Sequence, residues 1–252
     1  MSTEQCSRLR EAYLYARSRR QTKVLVLAGG DDFFSNGIHL KVIEAAEDPA
    51  VESWRNLNAM NDLVRDVLET DSHLVISALA GDAAAGGVAF ALAADEVVAR
   101  EDVVLNPYYG HMGGLYGSEY WTYLLPRRVG AGMTAQLTDP PFRPMGTRHA
   151  VEIGLLDAAF GRSVASFRAQ TRARAERLAP SAAAGRLVEK RIRRTRDEQR
   201  KPLEAYRAEE MIRSHRCFFG PDRSYHEARH RFAYKLGNPV AATKSGASLR
   251  AA

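Results

Sequence analysis

Apolar residues follow two different spacings in the first half of the chain. Segments 23–28 and 74–79 are apolar at nearly every position, which predicts strands buried on both faces. Segments 3–19 and 53–69 repeat apolar residues at intervals of three and four positions, which predicts amphipathic helices. Two such strands joined by a crossover helix indicate a layered α/β fold with parallel pairing.

The pattern predicts further elements beyond the second strand. A helix at 119–129 is expected to have Ser118 as its N-cap and Gly130 just beyond its end. The remaining expected elements are a helix at 88–94, strands at 96–99 and 103–105, and two long charged helices at 163–178 and 182–213.

These elements divide the 252 residues into three regions. We expect an α/β core at 1–165. A helical region at 166–236 has sparse apolar positions, so it is expected to pack one stripe on the core or on a partner. The last region, 237–252, is rich in Gly, Ala, Ser and Thr and has little apolar surface to bury, so we expect a mobile tail.

Composition places the chain among ordinary folded proteins. A hydrophobic fraction of 45% and a charged fraction of 26% exclude wholesale disorder and collagen-like or disulfide-stapled classes. Cys6 and Cys217 lack the spacing of a zinc site, so no metal is predicted. The N-terminus has no apolar leader, and glycines interrupt the longest apolar stretch, at 74–94, which argues against a membrane span. A cytoplasmic location is therefore expected.

The net charge of +6 is modest, but the basic residues crowd into 162–235. Clustered arginine can mark a nucleic-acid surface. On helices interleaved with acidic residues it more often forms a solvated face with ion pairs at four-residue spacing, which is the interpretation we favour. A few of these cations could also meet a small polyanion that carries several phosphates.

Two glycine-containing loops follow the two apolar strands. Gly37 permits a positive φ that would turn the amide of Ile38 away from a strand ladder. Gly86 opens a helix, where the first amides lack intrahelical partners and carry the positive end of the helix dipole. Because parallel strands end at one edge of a sheet, both amides could converge on one oxygen, as in an oxyanion hole.

The two loops carry a family resemblance. FFSNGIHLK and GDAAAGGVAFALAAD resemble the two signatures of the crotonase (enoyl-CoA hydratase/isomerase) superfamily. The resemblance implies a spiral of ββα units and binding of coenzyme A thioesters, with oxyanion amides at Ile38 and Gly86. It also implies adenine contacts near Asn36 and Ile38, and a nucleotide-side lysine at Lys41. The match begins inside the fold, so the first strands are expected to be missing, which would expose a sheet edge.

Departures from the superfamily pattern point away from hydration. The two glutamates of enoyl-CoA hydratases would fall at about Ala89 and Tyr108, so the usual acid/base pair is absent. Four longer stretches are similar to the C-terminal crotonase-like half of the HoxX family of nickel–iron hydrogenase maturation proteins. That similarity implies conversion of formyl-CoA to carbon monoxide and coenzyme A. The stretches are NGIHLKVIEAAEDPAVESWRNLNAMNDLV, VVLNPYYGHMGGLYGSEYWTYLLPRRVG, KPLEAYRAEEM and SYHEARHRFAYK.

Within this resemblance, tyrosines stand where the carboxylates are missing. Tyr108, Tyr109 and Tyr116 could relay a proton or donate a hydrogen bond, or could simply form an apolar wall. Glu119 and His111 are less favoured candidates for moving the proton. At the opposite end of the substrate, Arg229, Arg231 and Lys235 are expected near the nucleotide phosphates.

Three interpretations stay open at this point. We favour an enzyme that decarbonylates formyl-CoA, with the formyl group supplied by a separate protein that has a formyl-tetrahydrofolate domain. A different hydratase, isomerase or hydrolase reaction on another acyl-CoA is the first alternative. A non-catalytic acyl-CoA-binding or scaffold module is the second. Assembly of several copies is compatible with all three, and nucleic-acid binding is the least favoured role.

Overall fold

The computed structural model describes residues 1–140, 143–179 and 182–236. The strands are β1 (Val24–Ala28), β2 (Phe33–Ser35), β3 (Leu74–Leu79), β4 (Asp82–Ala84), β5 (Glu96–Ala99), β6 (Val104–Asn106), β7 (Met145–Gly146) and β8 (Ala158–Ala159). The helices are α1 (Thr3–Arg17), α2 (Leu40–Glu44), α3 (Pro49–Leu68), α4 (Gly86–Leu92), α5 (Trp121–Thr138), α6 (Thr147–Glu152), α7 (Val164–Leu178), α8 (Ala182–Arg200), α9 (Leu203–Phe219) and α10 (Ser224–Ala233).

Strands that follow each other in the chain enter different sheets. In the described residues one sheet has the order β1-β3-β5-β8 and the other has the order β2-β4-β6-β7. All pairs are parallel except β6 with β7. Each repeat of strand, strand and helix thus adds one strand to each sheet, which confirms the predicted α/β spiral of ββα units.

Close backbone approach makes the switch between sheets possible. A Cβ at Gly81, between β3 and β4, would lie 2.2 Å from the carbonyl carbon of Asp32, so no larger residue fits at this crossing. The central strands β3 and β5 are buried at every position. Their continuous apolar runs are explained by this two-sided burial.

The prediction for α5 was wrong at both ends. The helix begins at Trp121, and its N-cap is Tyr120 in the left-handed conformation, without a side-chain cap. Ser118 does not cap the helix, because its hydroxyl group contacts Asn61 and Glu210 instead. Helical structure also resumes after Gly130, which has φ 80° and ψ 163° and makes a kink without ending the element.

The prediction of a single helix at 182–213 was also wrong. Helix α8 ends at Arg200 and α9 begins at Leu203. Pro202 separates them, because proline has no backbone donor and disfavours helical geometry in the residue before it.

The predicted boundary between the core and the helical region, at 165–166, falls inside α7. The predicted tail at 237–252 lies outside the described residues. No helix in the described ranges has the length and apolar character to cross a membrane.

Candidate active site

A cavity of about 1050 Å³ lies between the two glycine turns and helices α2 and α10. Most of the predicted site residues line it, and Tyr116 and Arg229 do not. Those that do are Asn36, Ile38, Lys41, Gly86, Tyr108, Glu119, Arg231 and Lys235. The cavity is therefore lined by four parts of the chain, which are the two glycine turns, the segment after β6 and the last described residues.

The two glycine turns contact each other at the inner end of the cavity. Gly37 has φ +77°, and a Cβ at this position would lie 3.1 Å from the amide nitrogen of Gly86. Ala85, just before α4, holds a positive φ of 47° and donates its amide to the carbonyl of Asn106 at 2.7 Å. Within the described residues, the amides of Ile38 and Gly86 donate to no protein acceptor. Both donors are therefore available for a ligand oxygen.

Glu119 places a carboxylate beside these amides. The residue is 1% exposed, and a Cβ at Gly86 would lie 2.4 Å from Oε1 of Glu119. Its Oε2 accepts hydrogen bonds from the hydroxyl of Tyr109 and from the amide of Ser118, both at 3.0 Å. Burial raises the pKa of this carboxyl to about 7, although the two hydrogen bonds act to lower it. A carboxylate with such a pKa can accept and return a proton at neutral pH.

The three candidate tyrosines lie in different surroundings. Tyr109 is buried, and burial next to Glu119 raises its pKa well above the ordinary value, so its hydroxyl acts as a donor. Tyr108 is half-buried in the lining, with its ring edge-on to His111 at a centroid distance of 4.8 Å. Tyr116 lies outside the lining, and its ring centroid is 4.7 Å from the guanidinium carbon of Arg213.

Helix α3 supports both sides of the inner end. Oδ1 of Asn56 accepts the amide of His39 at 2.9 Å, next to Ile38, and Oδ1 of Asn61 accepts the amide of Glu119 at 2.7 Å. Both asparagines are fully buried. Sequence reasoning missed them, although polar residues on the apolar stripe of an amphipathic helix were a usable signal.

The outer end of the cavity is built from α2, α10 and the residues after α10. These segments contribute three cations, Lys41, Arg231 and Lys235, and one carboxylate, Glu227, to the lining. Arg229 does not line the cavity. Its Nε donates to Glu44 of α2 at 2.7 Å, which holds α10 against α2.

The chain has relatives in sequence and in structure over most of its length. Residues 1–237 match the enoyl-CoA hydratase/isomerase family. The chain is 47% identical over 236 residues to the hydrogenase maturation factor HoxX of Bradyrhizobium diazoefficiens, which covers 94% of this chain and 41% of HoxX. The fold superposes on HypX from Aquifex aeolicus, crystallised in complex with tetrahydrofolic acid, with a TM-score of 0.89 and 42% identity. This match covers 94% of the chain and 42% of HypX.

A more distant structure shows the same fold over its whole length. The enoyl-CoA hydratase of Bacillus halodurans has a TM-score of 0.78 at 16% identity, covering 91% of this chain and 90% of that enzyme. The chain thus spans about two fifths of HoxX and HypX but nearly all of a single enoyl-CoA hydratase.

Proposed function

Because the chain belongs to the enoyl-CoA hydratase/isomerase (crotonase) family, we propose that it binds formyl-CoA and converts it to carbon monoxide and coenzyme A. Members of this family generally bind coenzyme A thioesters. One observation favours decarbonylation over hydration: a single buried carboxylate, Glu119, lies beside two available backbone amides. The similarity to HoxX supports a role for the product in hydrogenase maturation.

The cavity fits an extended thioester with an anionic end. At the inner end, the amides of Ile38 and Gly86 would donate to the thioester oxygen and polarise the carbonyl. At the outer end, Lys41 and Lys235 would approach the nucleotide phosphates, where exposed cations suffice to balance charge. The apolar lining between these ends includes Leu57, and it suits the connecting chain of the substrate.

Glu119 is the residue that we assign to proton transfer. Its carboxylate would accept the formyl proton, the electron pair of the C–H bond would stay on carbon, and the C–S bond would break with its electrons on sulfur. Protonated Glu119 would then return the proton to the thiolate, so that carbon monoxide and the free thiol leave and the carboxylate is restored. The hydroxyl of Tyr109 would keep the carboxylate oriented in both halves of this cycle.

Space at the inner end favours a one-carbon acyl group. The carboxylate of Glu119 occupies the volume next to Gly86, where even a Cβ would collide with it. A longer acyl chain that extended toward Gly86 on this side would meet the Glu119 carboxylate. Tyr108 is less suited to the proton transfer, since it is half-buried and its ring packs against His111.

Two alternatives make different predictions. A hydratase or isomerase reaction requires a longer acyl group in the space that Glu119 fills, and Ala89 and Tyr108 stand where the two glutamates of hydratases would fall. A binding or scaffold module would retain coenzyme A affinity without turnover. For the decarbonylation that we propose, the formyl donor would be a formyl-tetrahydrofolate protein or domain, which the tetrahydrofolic acid complex of HypX supports.

Incubation of the purified chain with formyl-CoA tests the proposal, with carbon monoxide trapped on deoxyhaemoglobin and free thiol measured in parallel. We expect equal amounts of carbon monoxide and coenzyme A, with neither hydration of crotonyl-CoA nor hydrolysis of acetyl-CoA. Hydration of crotonyl-CoA without carbon monoxide would favour the first alternative. Tight binding of coenzyme A with no product from any thioester would favour the binding module.

A further inference from the structure

The segment that carries Glu119 has an unfavourable backbone. Glu119 and Tyr120 are consecutive non-glycine residues with positive φ, 61° and 60°. L-residues with side chains rarely adopt this conformation, and they keep it only when surrounding contacts enforce it. Because these two residues determine where the Glu119 carboxylate lies, the contacts that enforce the turn also control the site.

Glu210 of α9 supplies most of those contacts. Helix α5 has no side-chain cap of its own. Instead, Glu210 accepts the amides of Tyr120 and Thr122 at 2.9 Å each, and the hydroxyl of Thr122 at 2.5 Å. A carboxylate from another helix thus caps α5, where the helix dipole also favours negative charge.

The same carboxylate reaches the other side of Glu119. Oε2 of Glu210 lies 3.0 Å from the hydroxyl of Ser118, which is also 3.0 Å from Oδ1 of Asn61. Asn61 in turn accepts the amide of Glu119. Residues on both sides of Glu119 are therefore fixed to side chains of α9 and α3.

The two buried carboxylates differ in their contacts. Glu210 is 0% exposed and contacts four donors, from Ser118, Tyr120 and Thr122, whereas Glu119 contacts two donors and lines the cavity. Burial raises the pKa of both carboxyls to about 7. The larger number of donors favours Glu210 as the ionised member of the pair, and its negative charge is one of the causes, after burial, of the raised pKa of Glu119.

We propose that Glu210 is a positioning residue for Glu119, which holds residues 118–122 in the left-handed turn that aims the Glu119 carboxylate into the cavity. This inference rests on the proposed role of Glu119 as the base. It adds a residue that lies outside the cavity lining and acts through the backbone of the turn. Glu210 therefore orients the base and does not contact the substrate.

Glu210→Gln is the test, with Glu209→Gln as the matched control. Glu209 is adjacent on α9, but its side chain is 63% exposed and pairs with Lys201. In the full chain, Glu210→Gln replaces one of the two acceptor oxygens by an NH2 donor, which then faces donors of the turn. We expect kcat for formyl-CoA to fall roughly 10- to 100-fold with KM nearly unchanged, since misplacement of a catalytic group by about 1 Å has effects of this size.

A second readout does not depend on turnover. Infrared titration of the protonated carboxyl band, assigned with Glu119→Gln, reports the pKa of Glu119 directly. Glu210→Gln should lower this pKa, because a neighbouring negative charge is lost and the freed carboxylate gains water. Thr122→Val, which removes one donor to Glu210 and keeps the side-chain shape, should shift the pKa in the same direction by less.

The outcomes separate the two proposals. If the wild type releases no carbon monoxide but Glu210→Gln still lowers the pKa of Glu119, the proposed function fails and the positioning role stands. Equal pKa values for Glu119 in Glu210→Gln, Thr122→Val and the Glu209→Gln control would overturn the positioning role. So would a lower melting temperature with kcat per folded molecule unchanged. If Glu210→Gln does not fold, Thr122→Val alone decides.

Discussion

The two ends of the cavity are built in opposite ways. At the inner end, Glu119 and Tyr109 are buried and hydrogen-bonded, and side chains of α3 and α9 fix the backbone around them. At the outer end, Lys41 is exposed and the cations lie on α2 and on the last described segment of the chain. The inner end is buried and held by hydrogen bonds, whereas the outer end is exposed to solvent.

This difference matches the two tasks that the proposed function assigns to the two ends. Proton transfer needs a base within a fraction of an ångström of its target and an environment that adjusts its pKa. Attraction of phosphates needs only charge, which acts over several ångströms and tolerates movement. Substitutions at the inner end should therefore change kcat, and substitutions at the outer end should change KM.

Glu119→Gln should have the largest effect. The amide keeps the size of the side chain but cannot accept the formyl proton, so kcat should fall by roughly 10²- to 10⁴-fold. Coenzyme A affinity, measured by calorimetry, should stay within a factor of about three of the wild type. Full turnover by the variant would show that a different group is the base. The distinction between the two ends of the cavity would then no longer hold.

Gly86→Ala should have the next largest effect. The added Cβ would lie 2.4 Å from Oε1 of Glu119, so the carboxylate must move while the amide of Gly86 remains. We expect a loss of about 10²-fold in kcat, measured by carbon monoxide release. Gly132→Ala is the control, because the added Cβ would meet no described atom within 4 Å other than those of its own stretch of helix. Equal activity of the two variants would show that the Glu119 carboxylate can move away from the added Cβ without loss of function.

Lys41→Ala should have the smallest effect and the opposite kinetic signature. Loss of one exposed cation near the phosphates should raise KM roughly fivefold and leave kcat unchanged. The difference from wild type should shrink as salt is added, since exposed charges are screened. Arg172→Ala, at an exposed position of α7 paired with Glu176, should change neither constant. A fall in kcat for Lys41→Ala would mean that the outer end also shapes the chemistry.

Local sequence signals predicted the elements that depend on local patterns. Segment 74–79 is the strand β3, and the glycine turns at Gly37 and Gly86 do meet at the inner end of the cavity. The assignment of alternate strands to two sheets followed from the family resemblance and not from spacing. Strands such as β2 and β4 have only three residues, too few for a periodic signal.

The role of Glu119 could not be predicted from its neighbours in the chain. The amides of Glu119 and Tyr120 are held by Asn61 and Glu210, which lie 58 and 91 positions from Glu119 in the chain, and the pKa of Glu119 is raised first by burial. The sequence around Ser118 therefore predicts an ordinary helix start, and it favours Tyr108 over Glu119 for moving the proton. Hydrogen bonds to residues distant in the chain surround this turn, and no spacing rule within a single segment reveals them.

The most direct test of Glu119 as the base is the pH dependence of single-turnover carbon monoxide release from formyl-CoA, with hydrogen or deuterium at the formyl carbon. Burial raises the pKa of Glu119 to about 7, and only its ionised form can accept the proton. The rate should therefore fall as the pH drops through about 7, and deuterium should slow the step. A rate that is constant from about pH 5 to about pH 8 and equal for both isotopes would contradict the assignment.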